Sequence, residues 1–217
     1  MGLLDELKLQ AEQAKQQRED ASNAAENDSQ LINGKLYKIF HYFRELAEQL
    51  EVIHPPTDLA FPVHGVGDMA NLRLKNFSAD YRRRIDGYTF TDLIDYVSLT
   101  FSYSSPQKFV VDRQESWQAE RLREYLGRHS ILFELEERKN PRGLLENAQF
   151  TIPWEVRTYI RVKGDEARRQ IIFAMRNVER LGEQEFIFSA ERVDDALLDE
   201  FVRFMLGQPN RLRSLQY

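Results

Sequence analysis

Hydrophobic positions recur with a helical period between roughly Leu31 and Ile53. They step alternately by four and three residues, which places them along one stripe of a helix. Phe40 and Ala47 widen this stripe beyond the seam that a two-stranded coiled coil needs, so docking onto a sheet of the same chain is the favoured interpretation. The stripe consists of Ile32, Leu36, Ile39, Phe43, Leu46, Leu50 and Ile53.

A second helix is predicted over residues 2–26, which are rich in good helix formers. Its heptad seam consists mainly of alanine, which buries little apolar area. The seam is therefore interpreted as a contact with a partner or a second copy, with Leu4, Leu7, Ala11 and Ala14 as the contact residues.

The two seams differ in heptad phase. Asn27-Asp28-Ser29 and Asn33-Gly34 are candidate breaks between them, because these residue types favour caps and turns. Two helices, as an arm or a hairpin, are therefore predicted for residues 1–53, although a stutter within one helix would produce the same shift. His54-Pro55-Pro56 ends this region, and residues 54–68 are predicted to be a Pro/Gly connector.

Residues 69–217 show strand-like alternation interrupted by helical segments. Leu72 and Leu74 indicate a short edge strand, and the stretch from Val97 to Tyr103 indicates a stronger one. A turn at Ser104–Gln107 is predicted to form a hairpin with a strand over 108–112. A helix capped by Asp112 and Glu115 is predicted to follow and to end at Gly127.

Four further strands and a last helix complete the prediction. The strands are expected near 131–138, 148–163, 169–178 and 185–190, and the helix over 194–206. Short connections force antiparallel neighbours. The predicted fold is α+β: an N-terminal helical, coiled-coil-like segment, then a mostly antiparallel sheet of about six strands with helices packed on one face.

Arginine and tyrosine residues alternate along one side of the longest predicted strand. A sheet face of this composition can hold single-stranded nucleic acid by charge and stacking. Cross-strand pairing with glutamates is the favoured alternative, because the chain is acidic overall. The candidate nucleic-acid contacts are Arg82, Arg83, Arg84, Arg157, Tyr159 and Arg161.

Composition narrows the class of protein. Of the 217 residues, 42% are hydrophobic and 30% are charged, and the formal net charge is −5. Residues 1–53 contain six basic and ten acidic residues, so much of this negative charge lies in the N-terminal region. The chain has no cysteine, which excludes disulfides and thiolate nucleophiles and is typical of a cytoplasmic protein. No apolar run approaches membrane-spanning length, so a soluble protein without a membrane partner is expected.

Catalytic signatures are absent from the sequence. The four histidines are scattered, and no HExxH, Walker A, GxGxxG or GxSxG motif occurs. The carboxylate pairs Glu134/Glu136 and Asp92/Asp95 are interpreted as solvent-facing. An apolar pocket lined by Trp154, Phe173 and Phe188 is a further hypothesis, although core packing is favoured for these residues.

No residue is assigned a catalytic, cofactor-binding or metal-binding role. The leading hypothesis is a non-enzymatic interaction or scaffold protein that self-associates or docks partners through its N-terminal helices. The alternative is a single-stranded nucleic-acid-binding module that uses the Arg/Tyr sheet face. A small-ligand-binding domain or an enzyme with an unrecognised site is the third hypothesis.

Overall fold

The structure is a computed structural model that describes residues 3–86 and 89–216, with their side chains except at residues 3–9, 11, 21, 86, 89 and 90. One long helix precedes an antiparallel sheet and two shorter helices, which confirms the α+β prediction. The elements are α1 (Leu3–Ile53), β1 (Phe61–Val63), β2 (Gly67–Met69), β3 (Arg73–Asp86), β4 (Thr89–Arg113), α2 (Ser116–Arg128), β5 (Glu134–Lys139), β6 (Leu145–Asp165), β7 (Gln170–Arg176), β8 (Glu183–Ser189) and α3 (Asp195–Leu206).

Six strands form the main sheet in the order β3-β4-β6-β7-β8, with β5 pairing to the first part of β6. Every pairing is antiparallel. β6 is the central strand, since it pairs with β4 along one side and with β5 and then β7 along the other. A gap between β5 and β7 leaves part of β6, around Arg157, without a strand on that side.

Helix α1 is continuous, which corrects the two-helix interpretation. Gly34 and the Asn27–Ser29 segment lie inside it, so the phase change between the two seams occurs within one helix. The glycine costs about 1 kcal/mol. Burying each of Ile32, Leu36 and Ile39 contributes about 1.5–3 kcal/mol, which outweighs that cost.

The second half of α1 packs on its own sheet, as its wide stripe predicts, although Ile53 at the end of the stripe is 61% exposed. Ile32, Leu36, Ile39 and Phe43 are all at most 2% exposed. Gly164 of β6 allows this approach, because a Cβ there would lie 2.1 Å from a methyl carbon of Ile32. The helix and the sheet therefore share one hydrophobic core.

Strand β4 does not turn at Ser104–Gln107, which corrects the predicted hairpin. Ser104 pairs with Glu155 and Lys108 with Pro153, so four steps along β4 oppose two along β6. This is a bulge, where a proline such as Pro106 is tolerated. Both parts of β4 therefore pair with β6 and not with each other.

Helix ends are predicted with unequal success. Helix α3 matches the predicted range 194–206 closely: the Asp194 side chain accepts a hydrogen bond from the Leu197 amide, and Gly207 ends the helix in the left-handed conformation (φ 74°). In α2 the N-cap is Glu115 without a side-chain bond, so the predicted capping box does not form. The Asp112 carboxylate accepts hydrogen bonds from Asn147 and Gln149 across the sheet instead.

The connector over 54–68 contributes to the core. Its β1 and β2 form a two-stranded hairpin whose Phe61 and Val63 are buried. Phe61 packs against Tyr103 with ring centroids 4.9 Å apart. Across residues 3–86 and 89–216, no helix combines the length and the apolar character needed to cross a membrane.

Candidate functional site

One face of the sheet carries the core and the other remains open. Val156, Thr158, Ile160 and Val162 of β6 are buried, whereas the residues that alternate with them, Glu155, Arg157, Tyr159, Arg161 and Lys163, are partly or fully exposed. The registry aligns these residues with mostly polar neighbours on adjacent strands. The pairs are Ser102 with Arg157, Thr100 with Tyr159, Ser98 with Arg161 and Tyr159 with Arg176, and Arg161 also pairs with the apolar Ala174. We call this surface the open sheet face.

Arg161 lies at the centre of the open sheet face. Its guanidinium carbon is 4.7 Å from the centroid of the Tyr96 ring and 5.4 Å from that of Tyr159. Its Nε also donates a 3.0 Å hydrogen bond to the Tyr159 hydroxyl, and this bond raises the pKa of Arg161. Lys163 extends the cluster, with Nζ 5.9 Å from the Tyr96 centroid. Charge and aromatic surface are therefore combined in one place.

Two grooves cross the open sheet face, and Tyr159 and Arg176 border both. The first, of about 490 Å³, is also lined by Arg161, Glu183 and Glu185. Its charge is mixed. The second groove, of about 360 Å³, runs from Asn76 on β3 across β4 and β6 to Arg176 on β7.

The three consecutive arginines of β3 do not act together. Arg82 pairs with Tyr96 in the registry and so joins the open sheet face. Arg83 contacts the Tyr81 hydroxyl, and this hydrogen bond raises the pKa of Arg83. Arg84 forms a 2.6 Å ion pair with Glu166. Of the six predicted nucleic-acid contacts, the structure brings together Arg82, Arg157, Tyr159 and Arg161.

The first half of α1 projects from the rest of the chain. Residues 12–20 and 22–26 are exposed, Ala14 among them, and Asp28 is paired with Arg169 at 3.3 Å. We call residues 3–27 the helical arm. The predicted contacts Leu4, Leu7 and Ala11 belong to this helix, although their side chains lie outside the described residues.

The other residues considered from the sequence for a catalytic or ligand-binding role lie on the surface or in the core. Glu134 and Glu136 are exposed, as expected for a solvent-facing side of β5. Phe173 packs against Phe188 and Phe201, with ring centroids 5.5 and 5.2 Å away, so it fills the core. No cluster of three potential metal ligands occurs within the described part of the chain.

A third concave surface lies between α2 and the β1–β2 hairpin. This cleft of about 570 Å³ is lined by Arg113, Trp117 and Arg121, among others. Arg113 Nη2 donates to the Gly65 carbonyl at 2.6 Å, and the Tyr125 hydroxyl donates to the Pro62 carbonyl at 3.0 Å. The first bond fixes the hairpin against the end of β4, and the second fixes it against α2.

Sequence reasoning misses the site residues that come from other strands. Tyr96, Asn76 and Arg176 reach the open sheet face through strand pairing, and no local pattern specifies which residues pair. The alternation of polar and apolar residues in β6 identifies the exposed residues of that strand, but not the residues of neighbouring strands that lie beside them. Arg176 had one available signal, since it occupies a polar position within the alternation of β7.

Comparisons with known proteins do not connect this chain to a family. Searches against protein-family models, curated proteins and solved structures found no match. The functional proposals therefore depend on the surfaces described above.

Proposed function

We propose that this protein is a non-enzymatic interaction protein that associates with a second copy of itself through the helical arm. The observation that carries this proposal is the exposure of residues 12–20 and 22–26 of the arm, along a helix that continues into the core. Isolated helices are marginally stable in water, so a helical segment of this length gains stability when a partner covers its seam. The absence of cysteine is consistent with action in the cytoplasm.

The seam of the arm suits a close parallel pairing. Its heptad positions carry Ala11, Ala14, Ala21 and Ala25, which let two helices approach closely. Arg18 occupies one seam position, and a polar residue there favours one register at a cost in stability. In a parallel pair, Gln10 faces Lys15 and Gln17 faces Ser22 at the flanking g and e positions, so these pairs do not oppose like charges. Arg18 faces its own copy, which is the cost in stability at that seam position.

Sedimentation velocity over a range of concentrations tests this proposal. The full chain is expected to associate, and a chain that begins at Asp28 is expected to sediment as a monomer. Ala14→Glu adds a charge to the seam and should abolish association. Gln13→Glu adds the same charge one residue away, off the seam, and should leave association intact.

Two results would contradict the proposal. One is a full chain that remains monomeric at every concentration. The other is equal association by the Ala14→Glu and Gln13→Glu variants, which would place the contact elsewhere.

A second candidate function is the binding of single-stranded nucleic acid on the open sheet face. The observation that favours it is the contact of Arg161 with Tyr96 and Tyr159, which combines charge with two aromatic rings. Each stacked base contributes about 1–3 kcal/mol to such complexes, and phosphate contacts make binding salt-dependent. The acidic net charge of −5 opposes binding outside this surface.

Fluorescence anisotropy with a labelled oligonucleotide tests the second function. We expect binding at low salt that weakens as salt rises, and about tenfold weaker binding by Arg161→Ala. Arg138→Ala removes a 76% exposed arginine from β5 and should leave affinity unchanged. Absence of binding at low salt would dispose of this function.

A further inference from the structure

The second groove on the open sheet face presents hydrogen-bond donors. Arg157 and Arg176 contribute guanidinium groups, Ser102, Ser130 and Tyr159 contribute hydroxyls, and Asn76 contributes an amide. None of the described residues that line it is an aspartate or a glutamate. Acidic residues outnumber basic ones in this chain by 35 to 30, so a groove without carboxylates departs from the average surface. Such a lining favours an anionic ligand.

Donors at one end of this groove lack acceptors. Arg176 Nη2 donates to the Arg128 carbonyl at 2.6 Å, but its Nε is buried and has no hydrogen-bond partner among the described residues. The Nδ1 atom of the adjacent His129 is also buried without a hydrogen-bond partner among the described residues. Burial, followed by the charges of Arg128 and Arg176, lowers the pKa of His129. The positive charge here is therefore that of Arg128 and Arg176, while His129 favours its neutral form. The unpaired Nε of Arg176 costs about 1–3 kcal/mol until an acceptor reaches it.

Arg157 retains free donors at the centre of the groove. Its Nε binds the Glu155 carboxylate at 3.2 Å, and its side chain is 60% exposed. An Arg–carboxylate contact through Nε leaves other guanidinium N–H groups for a ligand. A bound oxyanion can therefore add to this ion pair without displacing it.

The walls of the groove are held in an uncommon backbone conformation. Asn76 (φ 61°) and Ser130 (φ 56°) border the groove in the left-handed region, and Asn177 (φ 57°) follows Arg176 in the same conformation. Residues other than glycine lose about 1–2 kcal/mol there, so the rest of the fold must compensate. The side chain of Asn177 does so by donating to the His129 and Arg157 carbonyls, which fixes the gap beside β6. The groove is thus shaped before any ligand binds.

We propose that this groove is a binding site for the phosphate group of a nucleotide. Arg157 and Arg176 would hold the phosphate oxygens, and the base would lie against Tyr159. The volume of about 360 Å³ lies at the lower end of small-molecule sites, so it accommodates one nucleotide. The ligand is a free mononucleotide or one nucleotide of a single strand, and in the latter case the inference rests on the second proposed function.

Isothermal titration calorimetry of the full chain at low salt tests this site with inorganic phosphate, with uridine monophosphate and with a uridine oligonucleotide. Uridine monophosphate is expected to bind, and phosphate is expected to compete with it. Arg157→Ala should weaken mononucleotide binding about tenfold or more, the loss typical of a charge-assisted hydrogen bond.

Two variants control this experiment. Arg138 is matched to Arg157, because it also lies on a strand and pairs through Nε with a glutamate at 3.2 Å, so Arg138→Ala should bind as the unaltered chain does. Tyr159→Leu should weaken the mononucleotide while leaving inorganic phosphate unchanged, since phosphate alone has no ring to stack.

The outcomes separate this site from strand binding. Mononucleotide binding that Arg157→Ala abolishes supports the site, whether or not the oligonucleotide binds more tightly. Oligonucleotide binding that depends on Arg161 and not on Arg157 overturns the site and leaves the second proposed function standing. Absence of phosphate and mononucleotide binding, or equal effects of Arg157→Ala and Arg138→Ala, also overturns it.

Discussion

At the scale of single residues, Asn177 links the open sheet face to the fold. It is fully buried and holds a left-handed conformation with φ 57°. Its Nδ2 donates to the carbonyls of His129 and Arg157 at 2.9 and 3.0 Å, and its Oδ1 accepts from the Gly182 amide at 2.8 Å. One side chain therefore satisfies backbone groups from three segments of the chain.

We expect Asn177→Ala to lower the free energy of unfolding by about 2–4 kcal/mol, because two carbonyls and one amide lose their buried partner. Asn71→Ala is the matched control: Asn71 is exposed, also left-handed at φ 54°, and makes no side-chain hydrogen bond among the described residues. It should cost about 1 kcal/mol or less. Urea unfolding measures both, and equal losses would contradict the role assigned to the Asn177 side chain.

The sequence predicts a site residue when its own strand shows which side it faces. Alternation within β6 separates Arg157, Tyr159 and Arg161 from the buried residues between them, and the structure confirms that separation. Tyr96 and Arg176 come from the two neighbouring strands, and their positions depend on registry and on bulges in β4. Registry is a property of the whole sheet, so no local pattern predicts it.

At the scale of elements, local sequence signals predict where a helix or strand begins and ends when no tertiary contact opposes them. Helix α3 spans Asp195–Leu206, close to the predicted 194–206, with Asp194 as its N-cap and Gly207 at its end. Helix α1 passes through Gly34, and β4 passes through Pro106, because tertiary burial and pairing with β6 exceed the local preference for a break. These tertiary contributions come from many residues, so they cannot be predicted from the glycine or proline at which a break is expected.

Gly164 of β6 and Gly34 of α1 should respond to the same substitution with opposite signs. Gly164→Ala places a Cβ 2.1 Å from an Ile32 methyl carbon and should destabilise the fold by about 1–3 kcal/mol. Gly34 is exposed within α1, where a Cβ meets nothing within 4 Å, so Gly34→Ala should stabilise it by about 0.5–1 kcal/mol. Thermal and urea unfolding of both variants measure the difference.

A double variant checks the cause of the Gly164 effect. If the clash with Ile32 is responsible, Gly164→Ala should cost less in an Ile32→Ala background than in the unaltered chain. An equal cost in both backgrounds would exclude a steric contact between these two residues.

At the scale of the whole molecule, α1 belongs to two parts of the protein. Its first half is the helical arm, which is exposed at residues 12–20 and 22–26, and its second half covers the sheet. With a rise of 1.5 Å per residue, the arm extends roughly 35 Å beyond Asp28. The division between a contact surface and a core surface therefore occurs within one helix, near the Asp28–Arg169 ion pair.

Two N-terminal truncations, one before and one after the second half of α1, should show which part of the helix the fold requires. A chain of residues 28–217 retains the buried stripe and should unfold cooperatively, with a midpoint close to that of the full chain at concentrations where the full chain is monomeric. A chain of residues 58–217 should lose cooperative unfolding. It lacks Ile32, Leu36, Ile39, Phe43 and Leu50. At about 1.5–3 kcal/mol for each buried side chain, their loss is comparable with the 5–15 kcal/mol by which domains are typically stable.

Circular dichroism and tryptophan fluorescence during urea unfolding distinguish these outcomes, since Trp117 and Trp154 both remain in the shorter chain. Coincident, steep transitions in residues 58–217 would mean that the sheet and the two short helices form a core without α1. A shallow transition there, beside a steep one in residues 28–217, would show that the second half of α1 is part of the domain. In that case the self-association test is valid only for the cut at Asp28, because the longer deletion removes the fold together with the arm.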